Sequence, residues 1–404
     1  MDLKRYAMNG VAPRHAVRPA SREEAAEALR AADRDRRGVV PWGGGVALPF
    51  EAAPAGYDVA LDLTALDRIV EYEPADLTLT AECGVTIATL RATLAAQGQE
   101  LPLEAAHADR ATLGGVLAAN ASGPRRRRFG APRDRILGAR YLFSDGSGAR
   151  TGGKVVKNVA GYGLHRLLCG SRGGLGIILE ASLKLQPAPA SRVALIYDAD
   201  AALLADRSRW APFARMEPAA LTVVSAAIAP PELAGAASRF AVVVVLEDDE
   251  PWVAEQERAV ANALGTPARR LGVDGVSALL ERLADLEERS GPRLTFTSAD
   301  ASPAAVGELL AASDPDRHAD LPAFLFHALA GRLHLWPADG RASVIATALA
   351  EAGMSLIGAR GTDPIEPPSP PQVAVRTMRG ALRNALDPAG RFILGASWGG
   401  EMRE

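Results

Sequence analysis

The feature that most constrains this chain is a glycine-rich stretch near its middle, Gly153–Tyr162, followed closely by Gly170–Gly176. Lys154 and Lys157, two of the four lysines in a chain that otherwise uses arginine, fall inside it. Glycine lets backbone N–H groups come close to a bound anion, where a Cβ atom would obstruct the approach. The stretch therefore predicts one half of a site for a phosphate-bearing ligand.

Two more glycine-rich loops lie upstream. The first, Gly43–Leu48, follows the short predicted strand Val39–Trp42, and its consecutive N–H groups can form a phosphate-binding nest. The second, Ala111–Pro124, predicts a loop that enters a short helix of small residues, whose N-terminus offers free N–H donors to a pyrophosphate. Each loop alone is compatible with a plain turn, but their order and spacing together predict a flavin dinucleotide site.

Two common nucleotide-binding motifs are missing from the sequence. No Gly-x-Gly-x-x-Gly opens a helix in a strand–helix–strand unit with an acidic residue about 20 residues further on. No Gly-Lys-Ser or Gly-Lys-Thr of a P-loop occurs either. The predicted site therefore belongs to neither the Rossmann nor the P-loop class.

The three loops together resemble the FAD-binding PCMH-type flavoprotein family, typified by vanillyl-alcohol oxidase and p-cresol methylhydroxylase, over residues 14–187. Gly123–Arg126, Arg133–Gly138 and Gly153–Tyr162 more narrowly resemble an FAD-binding subunit of bacterial glycolate oxidase. Leu382–Phe392 extends this likeness towards the C-terminus. The chain departs from the family in the first loop, where Val46 and Ala47 replace the usual hydroxyl residues, so backbone donors must hold the phosphates there.

The resemblance implies an α+β fold, with a PCMH-type FAD-binding domain of two α+β subdomains and an α+β cap domain built on an antiparallel sheet. It implies FAD as the cofactor. Noncovalent binding is expected, because no histidine occurs between Trp42 and Leu48, where relatives with covalently attached flavin place one. The residues expected to contact FAD are Gly43, Gly44, Gly45, Val46, Ala47, Leu48, Pro102, Thr112, Gly114, Gly115, Ala119, Asn120, Ser122, Gly123, Lys157, Asn158, Val159, Ala160, Gly161, Tyr162, Gly176 and Ile177.

Composition excludes several other classes of protein. A formal net charge of −3 gives no general attraction to nucleic acid or acidic lipid. No run of about 18 apolar residues is present to span a bilayer, and Met1–Arg5 has no apolar stretch of signal-peptide type. Cys83 and Cys169 are too few for an iron–sulfur cluster, which takes about four ligands. We therefore expect a cytoplasmic protein with no integral membrane segment, no nucleic-acid partner and no bound metal.

The predicted elements divide the chain into three parts. Residues 1–187 are the predicted FAD-binding domain, in which Ser21 and Glu24 form the capping box of an early helix. Residues 188–375 are the predicted cap or substrate domain, an antiparallel sheet with helices on one face. Residues 376–404 are expected to return toward the FAD domain.

The cap also supplies candidate catalytic residues. A flavin performs the electron transfer itself, but a 2-hydroxy acid additionally needs a cation for its carboxylate and a base for its hydroxyl. If His327–Trp336 is a hairpin that turns near Gly331, then Arg332, His334 and Trp336 share one face of its second strand. Arg332 and His334 are therefore the candidate catalytic residues, and a structural role for His334 is the competing interpretation. Related 2-hydroxy-acid oxidoreductases tend to carry a histidine-rich Gly-Asp-Gly-Asn segment, which this chain lacks.

The arginine run Arg125–Arg128 is the sharpest charge feature. A run of this kind is usually a solvated face. Because it directly follows a predicted FAD loop, it is also a candidate for a partner-docking surface or for contact with a substrate anion.

The resemblance implies an FAD-binding subunit of a glycolate-type 2-hydroxy-acid dehydrogenase complex, an enzyme acting on CH–OH groups. Its implied partners are a second flavoprotein subunit and an iron–sulfur subunit, which would place the complex at the inner face of the membrane. Two alternatives stay open: a free-standing FAD-dependent oxidase or dehydrogenase of another alcohol or hydroxy acid, and a non-catalytic flavoprotein scaffold.

Overall fold

A computed structural model describes residues 2–8, 10–46, 56–154, 163–231, 233, 239–289, 292–297, 302–312, 323–337, 341–351, 353–360, 378 and 380–393. These residues divide into two compact units. The first comprises the described parts of Met1–Ser122, Gly130–Ala188 and Ser369–Glu404, and the second those of Gly123–Phe129 and Pro189–Pro368. No helix among the described residues combines the length and the apolar character needed to cross a membrane.

The first unit begins with a small parallel sheet, whose strands in spatial order are His15–Val17, Val59–Asp62 and Val39–Trp42. The helix Arg22–Arg34 packs its buried Ala25, Leu29 and Ala32 against this sheet. Its start confirms Ser21 as the N-cap, because Glu24 N–H donates to Ser21 Oγ at 3.1 Å. The reciprocal bond of the predicted capping box differs, since Glu24 Oε2 accepts from Ala20 N–H (2.8 Å) instead of from Ser21 N–H. Near the C-terminus, Phe392 forms a parallel bridge to Val39, so the end of the described chain extends this sheet.

The first unit also contains an antiparallel sheet. Its strands in spatial order are Ile69–Glu73, Thr78–Glu82, Ile177–Lys184, Ile136–Leu142 and Gly148–Gly152. The helices of this part are Ile87–Ala95, Leu113–Ala119, Pro132–Arg135 and Leu164–Leu168, with helical residues also at Met378 and Gly380–Leu386. A short pair, Gln99–Glu100 with Gln186–Pro187, lies beside them. Cys83, which directly follows a strand, and Cys169 are both buried free thiols.

The second unit is built on an eight-stranded sheet in which every neighbouring pair is antiparallel. In spatial order the strands are Arg269–Leu271, Ser191–Ala199, Phe240–Asp248, Ala220–Ser225, Ala323–His327, Arg332–Trp336, Arg293–Thr297 and Ser355–Arg360. The accompanying helices are Ala201–Ala205, Arg207–Trp210, Glu250–Leu264, Val273–Glu287, Ala304–Ala312 and Ala342–Glu351. The predicted α+β class and antiparallel sheet are therefore confirmed.

The expectation that helices cover one face of this sheet is wrong. The helix Glu250–Leu264 packs on one side through Val253 and Val260, together with Val242 and Val244 of the central strand. The helix Val273–Glu287 packs on the other side, with Val243 and its neighbours. The continuous apolar run from Phe240 to Leu246 is the reason, because a strand without polar alternation must be covered on both faces.

The segment 123–129 groups with the second unit rather than with the loop that precedes it. Arg125 is only 6% exposed, and its guanidinium lies 3.1 Å from the carboxylate of Glu247, which is itself buried. Arg192 lies 3.0 Å from the same carboxylate. The hypothesis that Arg125 contacts a substrate anion or a docking partner is therefore wrong, because burial of Glu247 requires these cations as counter-charges.

The Arg128 side chain also makes an ion pair and a hydrogen bond within the second unit. It pairs with Asp248 at 2.6 Å and donates to the carbonyl of Glu217 at 2.8 Å. Arg127 is the exposed member of the run. The hypothesis of a solvated or docking surface formed by all four arginines therefore fails for Arg125 and Arg128.

The loss of stability caused by substitutions in the ion pairs of Glu247 and Arg128 should increase with the burial of the pair that is removed. Glu247→Gln leaves Arg125 and Arg192 without their counter-charge, and we expect it to lower the free energy of unfolding by about 3–5 kcal/mol. Arg128→Met removes a half-exposed pair and should cost only about 0–1 kcal/mol. Urea unfolding of the purified variants measures the difference. Equal losses in the two variants would show that Glu247 does not anchor the segment.

Candidate functional site

The first predicted cofactor loop, Gly43–Val46, follows the strand Val39–Trp42 as expected. Gly45 has a φ of +72°, in the left-handed region that favours glycine. A Cβ atom on Gly43 would collide with Thr112 Oγ1, and one on Gly44 would collide with the carbonyl oxygen of Arg110. The first and second predicted loops therefore lie directly against each other, and glycine permits that approach.

The second loop enters the helix Leu113–Ala119 through Thr112, whose side chain accepts from Gly115 N–H at 3.3 Å. Leu113 N–H donates to Val85 O (2.9 Å) and Gly114 N–H to Cys83 O (2.8 Å). The expectation that this helix start offers free N–H donors to a pyrophosphate is therefore wrong for these residues, because the preceding strand's end has already used them.

The end of this helix contacts the third glycine-rich region. Gly170 N–H donates to Leu117 O at 3.1 Å and Arg172 N–H donates to Ala118 O at 2.8 Å. Asn120 ends the helix with a left-handed φ of 49°, and its Oδ1 accepts from Arg133 N–H at 3.2 Å. The described part of the third loop therefore contacts the end of the helix in the second loop, and the Asn120 side chain is hydrogen-bonded within the protein.

The other predicted cofactor residues divide into two groups. Within the described chain, Pro102, Ser122 and Gly123 are buried, Ala119 is half-buried, and Gly176 leads into the strand that starts at the buried Ile177. Ala47 and Leu48, and the stretch Lys157, Asn158, Val159, Ala160, Gly161 and Tyr162, lie outside the described residues. Lys154 is described, and its ammonium pairs with Glu71.

A cavity of about 720 Å³ opens where the first two loops meet, lined by Trp42, Gly44, Gly45 and Thr112. Its volume is within the range of about 300–1,000 Å³ that is usual for ligand pockets. The charged residues of its lining are Arg5, Arg18, Arg110, Asp67 and Asp109. Since arginine outnumbers aspartate, the lining suits an anionic ligand.

In the second unit, the hairpin predicted around Gly331 is confirmed. The strands Ala323–His327 and Arg332–Trp336 pair antiparallel, with His327 opposite Arg332, and Gly331 has a φ of +59° in the connection. Side chains alternate between the faces of a strand, so His327, Arg332 and His334 lie on the same face of the sheet.

A carboxylate joins the two histidines there. Glu287, at the C-terminal end of its helix, places Oε1 3.0 Å from His327 Nε2 and Oε2 3.6 Å from His334 Nε2. On the opposite edges of the rings, Nδ1 of His327 lies 3.1 Å from Thr222 Oγ1, and Nδ1 of His334 lies 3.1 Å from Thr295 Oγ1. Both histidines are almost fully buried. The ring of His327 is held by hydrogen bonds at both nitrogens, whereas Nε2 of His334 has no hydrogen bond among the described residues.

The environment sets the charges of this cluster. Burial raises the pKa of the Glu287 carboxyl, but the hydrogen bond from His327 and the surrounding basic groups, including Arg332, outweigh it and lower the pKa to about 2. Burial lowers the pKa of His334 well below its ordinary value against the opposing charge of Glu287, and Arg293, His327 and Arg332 lower it further. Near neutral pH, an ionised Glu287 therefore faces a neutral His334.

Sequence reasoning identified Arg332 and His334 but missed His327 and Glu287. The predicted hairpin contained the signal for His327, since both histidines flank the same turn. Glu287 carried no such signal, because it is 40 residues distant from His327 along the chain and only packing of its helix brings it near. The ligand atoms of Glu287, His327 and His334 lie within 4.8 Å of one another, which the expectation of no metal did not take into account.

Comparison with known proteins agrees with the flavin interpretation of the first unit. Residues 13–152 match the family of FAD binding domains. The chain is 43% identical over 136 residues to glycolate oxidase subunit GlcE of Escherichia coli (strain K12), covering 33% of this chain and 39% of the relative. It is 32% identical over 184 residues to glycolate oxidase subunit GlcD of Bacillus subtilis (strain 168), covering 46% of this chain and 39% of the relative. The matches thus span about two fifths of the length of each relative.

Similarity in fold covers more of the chain than similarity in sequence. A solved structure of alkyldihydroxyacetonephosphate synthase covers 93% of this chain and 75% of its own, with a TM-score of 0.64 at 16% sequence identity. The predicted α+β fold is therefore confirmed. The match to FAD binding domains confirms FAD as the cofactor. The match to the FAD binding domain family covers residues 13–152 of the chain.

Proposed function

We propose that this chain is the FAD-binding subunit of a glycolate-type 2-hydroxy-acid dehydrogenase, which passes electrons from substrate through its flavin to a partner. One observation carries the proposal: Gly43–Gly45 and Thr112 meet beside a polar cavity, inside the region that matches FAD binding domains. The likeness of the chain to two subunits named glycolate oxidase supports the substrate class.

The backbone around this cavity fits FAD. Gly43 and Gly44 leave no room for side chains on the face that meets the second loop. Gly44 and Gly45 line the cavity. The residues proposed to hold FAD are those of the three loops, including the stretch Lys157–Tyr162. No histidine occurs between Trp42 and Leu48, which supports noncovalent binding. When bound, FAD supplies the electron acceptor for oxidation of the substrate.

We propose a role for each of the three parts of the chain. Residues 1–187 hold FAD, residues 188–375 form a cap that contributes substrate contacts, and residues 376–404 return to the FAD domain. The bridge between Phe392 and Val39 supports the last assignment.

The substrate contacts are proposed for Arg332 and His334. Arg332 shares a sheet face with His334 and supplies a cation that suits a carboxylate. His334 supplies a neutral imidazole whose Nε2 has no hydrogen-bond partner among the described residues, a state that can accept the proton of a substrate hydroxyl.

The proposed partners are a second flavoprotein subunit with the main catalytic site and an iron–sulfur subunit, in a cytoplasmic assembly held at the inner membrane by those partners. The two cysteines support this division of labour, because both are buried and too few to carry a cluster that passes electrons on. Co-expression of the chain with such subunits, followed by size-exclusion chromatography, tests the assembly. Migration as a free chain in the presence of both would contradict it.

We expect the purified protein to be yellow and to release intact FAD on mild denaturation, since nothing in the first loop provides a covalent anchor. The absorbance spectrum before and after precipitation of the polypeptide measures this. A colourless protein that takes up no added FAD would refute the flavin assignment, and flavin that stays on the precipitate would refute noncovalent binding.

Substitutions at two neighbouring glycines distinguish an effect on cofactor binding from an effect on folding. A Cβ atom on Gly114 would lie 3.0 Å from Cys83 Cβ and backbone oxygen, so Gly114→Ala should destabilise the fold by about 1–3 kcal/mol. A Cβ atom on Gly115 would meet only Thr112 Oγ1, at 3.3 Å. Gly115→Leu should therefore fold but lose FAD occupancy if this helix adjoins the cofactor, and Gly115→Ala is its control. Normal FAD occupancy in Gly115→Leu would place the cofactor elsewhere.

The substrate contacts can be tested in the assembled complex with glycolate and D-lactate. Loss of a charged hydrogen bond in Arg332→Met should raise KM by about 10- to 100-fold, and loss of the base in His334→Gln should lower kcat by about 10²- to 10⁴-fold. FAD content should not change. His165→Gln is the control, because His165 is another buried histidine with its Nδ1 near a threonine hydroxyl, Thr151. Unchanged kinetics in both cap variants would favour catalysis by the partner flavoprotein alone.

A further inference from the structure

We propose that Arg5 and Arg18, two arginines near the start of the chain, bind the diphosphate group of FAD in the cavity beside the first glycine-rich loop. Both side chains belong to the lining of that cavity, together with Gly44 and Gly45. Arg5 precedes residue 13, where the match to FAD binding domains begins. The inference rests on the proposed function only in placing FAD in this cavity, and it adds ligands from outside the three loops.

The first two loops contain few groups that can bind a diphosphate. The N–H groups of Leu113, Gly114 and Gly115 donate within the protein, so the helix after Thr112 offers none of them to a phosphate. In the first loop, the Val46 side chain has no hydroxyl that could donate to a phosphate oxygen. The phosphates therefore need further donors from the wall of the cavity.

The first loop supplies backbone donors but no positive charge. The N–H groups of Gly43, Gly44 and Gly45 donate to no acceptor among the described residues. Successive N–H groups can point at one anion when a left-handed residue lies among them, as Gly45 does with its φ of +72°. These groups are neutral dipoles, so the negative charges of a diphosphate still need cations beside them.

Arginine side chains supply the positive charge of the cavity lining. Arg5, Arg18 and Arg110 belong to it, and none of their side chains makes an ion pair or a hydrogen bond with another described residue. A guanidinium group can donate to two phosphate oxygens at once. Asp67 and Asp109 also line the cavity and oppose an anion, but the arginines outnumber them. The lining therefore keeps cations that are available to a diphosphate.

Tyr6 fixes the start of the chain beside the first loop. Its hydroxyl donates to Asp62 Oδ2 at 2.8 Å, and Asp62 is fully buried at the end of a strand of the parallel sheet. The Tyr57 hydroxyl donates to the Tyr6 carbonyl oxygen. The rings of Tyr6 and Trp42 meet edge to face, with their centres 5.3 Å apart. Trp42 is the last residue before the first loop, so these contacts hold the backbone of Arg5 near that loop.

The side chains of Arg5 and Arg18 lie near the same hydroxyl. Burial and the hydrogen bond to Asp62 raise the pKa of Tyr6, and the positive charges of Arg5 and Arg18 act in the opposite direction. A charge acts on a titrating group in this way only from nearby, so both guanidinium groups lie close to Tyr6. Two arginines on one side of the cavity can bind one diphosphate together. Both residues are exposed to solvent, so salt should weaken their contribution.

FAD binding by the full-length chain tests the proposal. After removal of bound FAD, a titration followed by flavin fluorescence gives the Kd. Arg5→Gln and Arg18→Gln should each raise the Kd of FAD by about 10-fold, and the double variant by about 100-fold, because each loses a charged hydrogen bond. Added salt should weaken FAD binding less in the double variant than in the unmodified chain. The matched control Arg14→Gln should bind FAD normally, because Arg14 lies outside the cavity lining and pairs with Asp58 at 3.3 Å.

Competition with ADP identifies the group that the arginines contact. ADP carries a diphosphate but no flavin, so the double variant should lose affinity for ADP by the same factor as for FAD. A loss of affinity for FAD alone would place the two arginines at another part of the cofactor and overturn the proposal. An unchanged Kd of FAD in the double variant would also overturn it.

The Gly115→Leu variant in the same titration separates two kinds of failure. Loss of FAD in Gly115→Leu with normal binding in the arginine variants would refute only the role of Arg5 and Arg18. Normal binding in all of these variants would also refute the placement of FAD in this cavity. Glycolate turnover by the assembled complex is measured separately, so weak FAD binding in the arginine variants without any turnover of glycolate would refute only the proposed substrate.

Discussion

The close approach of two backbone loops is the constraint on which the candidate flavin site depends. Gly43 and Gly44 rest against Thr112 and the Arg110 carbonyl, with no space for a Cβ atom at either glycine. Gly114 makes a comparable approach to Cys83 from the next turn. Glycine in these positions therefore shapes the protein before it serves any ligand, and the cavity beside Trp42 and Gly45 exists because the loops meet there.

Because the glycine-rich loops pack this closely, some N–H groups that could bind phosphate are used within the protein. The N–H groups at the start of the helix Leu113–Ala119 are consumed by Cys83, Val85 and Thr112. A helix start can bind an anion only with donors that remain free. Of the described loops, the first is the better candidate for backbone contact with phosphate, and nearby arginines of the cavity supply the positive charge.

Burial of charge organises the second unit in two different ways. Arg125 and Arg192 neutralise Glu247 in a closed arrangement that anchors the segment 123–129. Glu287 instead faces two histidines, one of which keeps an unsatisfied nitrogen. The burial of each carboxylate therefore depends on the basic groups around it.

The sequence by itself determined the features that depend on local chemistry. The N-cap at Ser21, the hairpin at Gly331 and the loop after Trp42 followed from residues close together in the chain. The family likeness supplied the α+β class and FAD. Only the tertiary structure decided which donors remain free in the helix after Thr112, that helices cover both faces of the cap sheet, and that Arg125 is internal. The same limit applies to the polar cluster, where strand periodicity made Arg332 and His334 recognisable but left Glu287 unmarked. The sequence does not show whether a carboxylate faces water or a buried cation, because its environment depends on packing between segments far apart in the chain.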